Sequence, residues 1–182
     1  MVCITPSKLP IMALKKTKPS KNWIIIPGLA LSVVLLSAYR RSLKPLGPIL
    51  SRMRLRGQDQ HGYGYFGASR SGGSRQHNGI DLVCTPAEAV FSPVTGTVER
   101  YANPYPGDSR YGGILLQGEE FSVKMFYLSP VVPVGTKVRR GQQVGIAQAI
   151  SKKYPGITEH IHVEVYAGGQ LVNPAELFEY QV

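Results

Sequence analysis

The sequence predicts a mostly β protein, an antiparallel β-sandwich or open barrel preceded by a separate apolar helix. Three observations carry that reading. From residue 57 onward the chain falls into short apolar or alternating runs punctuated by Gly, Pro and Asn, the pattern of many short strands joined by tight turns. Residues 1–56 hold eleven Lys and Arg and no Asp or Glu, whereas residues 57–182 hold ten basic against eleven acidic residues. A long uncharged run, "WIIIPGLALSVVLLSAY" (23–39), sits between basic flanks.

Residues 1–22 form a basic N-terminal region. The run 23–39 is a little short of the ~20 residues of a membrane span and longer than the ~7–15 residues of a signal-peptide core. Pro27 and Gly28 interrupt it near its start. It reads as a signal peptide or a membrane anchor, so the protein is expected to be exported, either secreted or held to a membrane through residues 23–39. Five Lys precede the run and six Lys or Arg follow it before Gly57, so loop charge does not orient it. Met12 offers an alternative start that would leave a more ordinary signal peptide. Residues 40–56, "RRSLKPLGPILSRMRLR", read as a basic linker. Two prolines and a glycine break any long helix, the arginines suit anionic headgroups, and a short interfacial helix over "PILSRMRLR" stays open.

The remaining domain, 57–182, offers strand candidates at "GIDLVC" (79–84), "AVFSP" (89–93), "GTVERY" (96–101), "GGILLQG" (112–118), "FSVKMFYL" (121–128), "GQQVGIAQ" (141–148), "HIHVEVYA" (160–167) and "QLVNP" (170–174). Its close looks helical, with Asn173 as cap, Pro174 at the first helical position and Glu176 three residues after the cap. Because this domain is about neutral, no basic face for nucleic acid is indicated. Cys84 is its one cysteine, so it has no internal disulfide, and the thiol is expected to be buried and inert.

Of four histidines, two stand at alternate positions in "EHIHVE" (159–164). In a strand, His160, His162 and Glu164 share one face and Ile161, Val163 and Val165 the other. A solvated polar face explains that pattern; so does a metal site, since neutral imidazole suits zinc. Further back, "HNGID" places His77 four residues before Asp81. Asp is depleted from strand interiors, and a buried carboxylate needs a partner. His77, Asp81 and one histidine of the pair would make a His2Asp set around one Zn2+, with a fourth position open to water. The other histidine, two residues along the same face, would be in reach as a general base. A turn carboxylate beside an exposed histidine is the plainer alternative.

These residues resemble a known family. "QHNGIDL" is similar to the His-x-Gly-x-Asp motif of the lysostaphin-type (LytM-like) zinc endopeptidases, and "EHIHVEV" to their His-x-His strand. "VFSPVTGTVERY", "VPVGTKVRRGQQVGIAQ" and "GGQLVNPAELF" resemble the intervening and closing stretches, so the likeness spans roughly residues 60–180. It implies the β fold of that family, zinc held by His77, Asp81 and His162, and His160 as the base. Glu164 would orient a ligand from behind or face solvent. Where the family carries a further catalytic histidine in Tyr-x-His-Leu, this chain reads "MFYLSP", with Tyr127 in that place. The leukocyte cell-derived chemotaxin branch shares the substitution, and "VKMFYLSPV", "KKYPGITEHIH" and "DQHGYGYFGA" are similar to it. Proteins of that branch are understood to bind zinc without clear peptidase activity, and they are disulfide-bonded, which a domain with Cys84 alone is not. A phenol can still donate to the oxyanion, and loss of one donor costs ~10²–10³ in rate.

The resemblance thus implies a zinc endopeptidase acting on the peptide cross-links of peptidoglycan or on glycine-rich peptides, its activity reduced through Tyr127. The alternative is a zinc-stabilised, chemotaxin-like module that binds a receptor or polymer. Tyr63, Tyr65, Tyr105 and Tyr111, with Phe66, lie in Gly/Pro-rich loops that could wall a groove for an extended peptide. His61 reads as an exposed loop residue.

Overall fold

Where apolar side chains recur at every second position, one face of a strand is driven into a core. The computed structural model describes residues 46–178 and shows twelve strands among them: β1 (Ser69–Arg70), β2 (Arg75–Gln76), β3 (Ile80–Val83), β4 (Ala89–Phe91), β5 (Gly96–Ala102), β6 (Gly113–Gly118), β7 (Phe121–Phe126), β8 (Leu128–Pro130), β9 (Lys137–Val138), β10 (Gln143–Ala147), β11 (His160–Ala167) and β12 (Gln170–Val172). These described residues are mostly β and their strand pairings are antiparallel, as the sequence predicts for this part of the chain.

The large sheet runs β12-β11-β7-β6-β5-β9, and β3 pairs with β11 beside β12. A small sheet, β4-β10-β8, packs into the same apolar core, and β1-β2 form a separate hairpin. Ile161, Val163 and Val165 of β11 are fully buried, together with Ile80, Leu82, Leu116, Val123 and Met125 from neighbouring strands. The run 121–128, expected as one strand, divides at Tyr127, whose φ of 67° redirects the chain from the large sheet to the small one. The closing segment is a single 3-10 turn, Pro174–Glu176, capped by Asn173 Oδ1, which accepts from the Ala175 N–H at 3.1 Å.

The basic linker expected over 40–56 is corrected by the structure where it is described, from residue 46. Leu46, Ile49, Leu50 and Met53 are at most 5% exposed and belong to the core. The segment is bent and extended, with no helix over "PILSRMRLR". Its backbone follows β3: the Arg56 N–H donates to Asp81 O (2.7 Å) and the Val83 N–H to Arg54 O (2.8 Å). Farther back, Leu46 N–H donates to Leu177 O (2.8 Å). The reason is physical. Apolar residues spaced among the arginines cover an edge of β3 that would otherwise carry unpaired backbone groups. The domain therefore begins by residue 46, and not at 57. The N-terminal basic region and the apolar run 23–39 lie outside the described residues. Among the described residues no helix is long and apolar enough to cross a membrane.

Candidate metal centre

Register brings the site together. In the β3-β11 ladder His162 stands directly opposite Asp81, with Val163 opposite Ile80. His77 lies just before β3, clipped by two backbone bonds: His77 N–H to Ala68 O and Gly67 N–H to His77 O, both 2.8 Å. Gly79 separates it from β3, and a Cβ there would lie 2.1 Å from Val163 O. The glycine of "HNGID" is thus what lets His77 reach the face of β11.

Three ligand atoms converge. His77 Nε2 lies 2.9 Å from His162 Nδ1 and 3.2 Å from Asp81 Oδ1, and His162 Nδ1 is 2.9 Å from the same oxygen. Within the described residues these three form the group suited to a metal. Their other atoms set the tautomers. The His77 Nδ1–H donates to Tyr65 O at 2.8 Å, and the His162 Nε2–H to Glu164 Oε1 at 3.4 Å. In neutral rings, then, lone pairs on His77 Nε2 and His162 Nδ1 face an Asp81 oxygen. A cation has to sit among three acceptors so placed, and a metal ion satisfies all three. The donor set therefore fits a His2Asp metal.

His160 stands beside this group. Its Nδ1–H donates to Thr158 O at 2.7 Å, which leaves the Nε2 lone pair 3.6 Å from Asp81 Oδ1. Burial lowers its pKa against the pull of Asp81. Burial would also lower His162, but its hydrogen bonds to Asp81 and Glu164 outweigh that and raise it. Burial would raise Asp81, yet the hydrogen bonds of His162 and His77 hold its carboxyl well below the usual range. Glu164 is 7% exposed and not solvent-facing. It pairs with Lys124 and accepts from the Tyr166 hydroxyl at 2.6 Å. Against burial, His162 and Lys124 draw its carboxyl to about 2.

Asp81's second oxygen is held by Arg56, the last residue of the stretch expected as a linker. Arg56 Nε and Nη2 donate to Asp81 Oδ2 at 3.2 and 2.9 Å, while Nη1 donates to Asp59 and to Gly62 O. This two-pronged clamp leaves Oδ1 alone for the ligand group. The one signal in the sequence was Asp59 three residues after Arg56. Arg70 Nη2 lies 3.6 Å from the same Oδ2 and donates to Tyr63 O at 2.6 Å.

Tyr127 sits edge-on to His160, ring centroids 5.2 Å apart, and its hydroxyl lies 3.1 Å from that of Tyr105. Burial raises the Tyr127 phenol above its ordinary value. A groove of about 490 Å³ runs over the centre. Of the four tyrosines expected to wall it, Tyr105 does so. Tyr111 is buried behind Tyr105, and Tyr63 and Tyr65 pack against each other with tilted rings outside the groove and serve the site through their carbonyls. Tyr154, not singled out in the sequence, joins Tyr105. Lys153 Nζ lies 4.4 Å from the Tyr105 ring centroid and 3.1 Å from Asp108 Oδ2, tying that wall down. His61 is exposed, yet it lines the groove and bonds Pro155 O at 3.1 Å. Cys84 is buried, and burial pushes its thiol to about 12.

The pattern of peptidase family M23 matches residues 75–174. Leukocyte cell-derived chemotaxin-2 of Mus musculus is 35% identical over 115 residues, covering 63% of this chain and 74% of that protein. Helicobacter pylori Csd3 in its orthorhombic crystal superposes with a TM-score of 0.56 at 17% identity, over 76% of this chain and 36% of that one. A zinc containing peptidase from Vibrio cholerae superposes at 0.52 with 21% identity, over 74% of this chain and 41% of that one. The chain spans about two fifths or less of those two structures, and at these identities they share its fold.

Proposed function

The chain belongs to peptidase family M23, and from that premise we propose that its domain is an exported, zinc-dependent endopeptidase acting on peptide cross-links of peptidoglycan. The observation that carries the reading is the set of three converging acceptors with a third histidine, His160, beside them, its Nε2 lone pair turned inward. His77 Nε2, Asp81 Oδ1 and His162 Nδ1 would hold one Zn2+, which when bound supplies a Lewis acid for the scissile carbonyl and lowers the pKa of water at its open position.

The chain's own residues do the rest. Arg56 fixes the Asp81 carboxylate in one orientation. Tyr65 O and Glu164 hold the two ligand rings in the tautomers that present a lone pair. His160, kept neutral by burial, accepts the proton of the attacking water at Nε2 and returns it to the leaving amine. The Tyr127 hydroxyl, kept protonated by burial, donates to the oxygen of the carbonyl under attack. A purely structural metal gives His160 no task, which favours the enzyme.

One observation favours a second reading. The similarity to the mouse chemotaxin runs over 115 residues, and the resemblance of "MFYLSP" puts Tyr127 where the peptidases are expected to carry a histidine. In that reading the metal stabilises a module that binds a receptor or polymer. Incubating the full chain with purified cell-wall sacculi, with and without chelator, separates the two. Chelator-sensitive release of peptide fragments is expected. Its absence, with zinc bound, excludes the enzyme.

A further inference from the structure

The β1-β2 hairpin carries an electrostatic conflict. Its register sets Arg70 directly opposite Arg75, and like charges at facing positions of an antiparallel pair destabilise it. The turn between them is already strained, with Ser71 at φ 51° and Gly72 and Gly73 also left-handed. The two arginines are not equally engaged. Arg70 is half-buried, donates to Tyr63 O and shares Asp81 with Arg56. Arg75 is exposed, and its Nε donates to Ser71 Oγ at 3.2 Å. No carboxylate among the described residues lies within ion-pair distance of it.

Both arginines line the groove over the metal centre, and Arg75 is two residues from His77. The groove thus has the aromatic wall of Tyr105 and Tyr154 as well as a cationic rim on the hairpin. A short hairpin with facing arginines at a groove's mouth is stabilised by an anion placed between them. The guanidinium fork matches a carboxylate in two-pronged geometry.

We propose that Arg75, with Arg70 behind it, forms a carboxylate subsite, so that the groove takes peptides bearing a free carboxylate close to the bond being cleaved in preference to uncharged polyglycine. This rests on the endopeptidase reading for the word cleaved, but the subsite itself is a binding property of the hairpin.

The test reads binding, not turnover. Fluorescently labelled pentaglycine amide and the same peptide with one glycine replaced by glutamate, at each position in turn, are titrated onto the zinc-loaded full chain and followed by anisotropy. At least one glutamate position should bind about tenfold tighter than the neutral peptide, the gain expected of a charge-assisted pair. Arg75→Gln should remove that gain, so that within the variant the glutamate and neutral peptides bind within twofold of each other, Arg75→Lys should keep part of it, and Arg75→Glu should reverse it. Because Arg75 is exposed, these variants are expected to fold, and an unchanged melting temperature checks that they do. The subsite is overturned if no glutamate position gains more than twofold, if no peptide binds, or if Arg75→Gln keeps the gain. Sacculus cleavage on the same samples keeps the two failures apart. Cleavage without a glutamate preference sinks the subsite alone, and preference without cleavage sinks the peptidase reading alone.

Discussion

Asp81 shows how much one side chain can be asked to do. It sits inside a β-sheet, almost fully buried, with one oxygen facing two imidazoles and the other gripped by Arg56. Arg56 acts on the metal through that carboxylate, so its removal should weaken binding without touching a ligand. Arg56→Lys keeps the charge but loses the fork, and zinc affinity is expected to fall about 10–100-fold, the range for partners behind a ligand. Competition against a chelator measures it, and an unchanged affinity would show that Oδ1 needs no such orientation. Tyr127 is the second residue to test. Tyr127→Phe keeps the ring against His160 and deletes the donor, so wall hydrolysis should drop ~10²–10³-fold with zinc content unchanged. Tyr127→His should hold or raise it. An activity indifferent to both Tyr127→Phe and His160→Ala would place the chemistry elsewhere. The sequence made Asp81 conspicuous because an acid in "GIDLVC" breaks the strand pattern. Its only sign of Arg56 was Asp59 three residues on, and that acid does not report the partner that matters, Asp81, which lies 25 residues away in the chain.

At the scale of elements, two connections decide whether the site exists at all. The first is residues 46–56 on the edge of β3. Four apolar side chains there are buried, Leu46, Ile49, Leu50 and Met53, each worth ~1.5–3 kcal/mol, against a net stability of ~5–15 kcal/mol for a whole domain. A chain starting at Gly57 is therefore expected to lose its cooperative thermal transition, and one starting at residue 43 to keep it. Equal melting of the two would show the segment to be an ornament. The second connection is Asp59, which ties three stretches together. Its carboxylate accepts from the backbone N–H of Thr158 (2.9 Å) and of His61 (2.8 Å) and pairs with Arg56. Burial would raise it, but the Thr158 N–H and Arg56 outweigh burial and bring it to about 2. A depressed carboxyl contributes stability that is fully present above its unfolded pKa, ~3.9, and is lost as pH falls through about 2. Wild type should thus lose stability relative to Asp59→Asn between about pH 4 and pH 2. The difference between the two melting curves isolates this group from the other acids. A difference independent of pH would refute the assignment.

For the whole molecule, a metal that binds the folded state and not the unfolded one adds stability by mass action, ~2.7 kcal/mol at a hundredfold excess over its Kd. The melting temperature should rise with zinc, fall with chelator, and stop responding in Asp81→Asn; a melting temperature indifferent to zinc would show the three acceptors hold no such ion. What the sequence determined by itself was whatever depends on order and period along the chain. The alternation of "HIHVEVYA" assigned Ile161, Val163 and Val165 to the core face and set His160 and His162 together on the other. Gly, Pro and Asn marked where strands end, and the acid within an apolar run marked the site. What only tertiary structure decided was whatever depends on pairing between distant segments. Register alone puts His162 opposite Asp81. A core face far away in the chain is what claims Leu46, Ile49, Leu50 and Met53 from a stretch that reads as a basic linker. Local pattern reports which face a side chain takes. It does not report what that face meets, because contact free energy belongs to pairs of segments and not to either one.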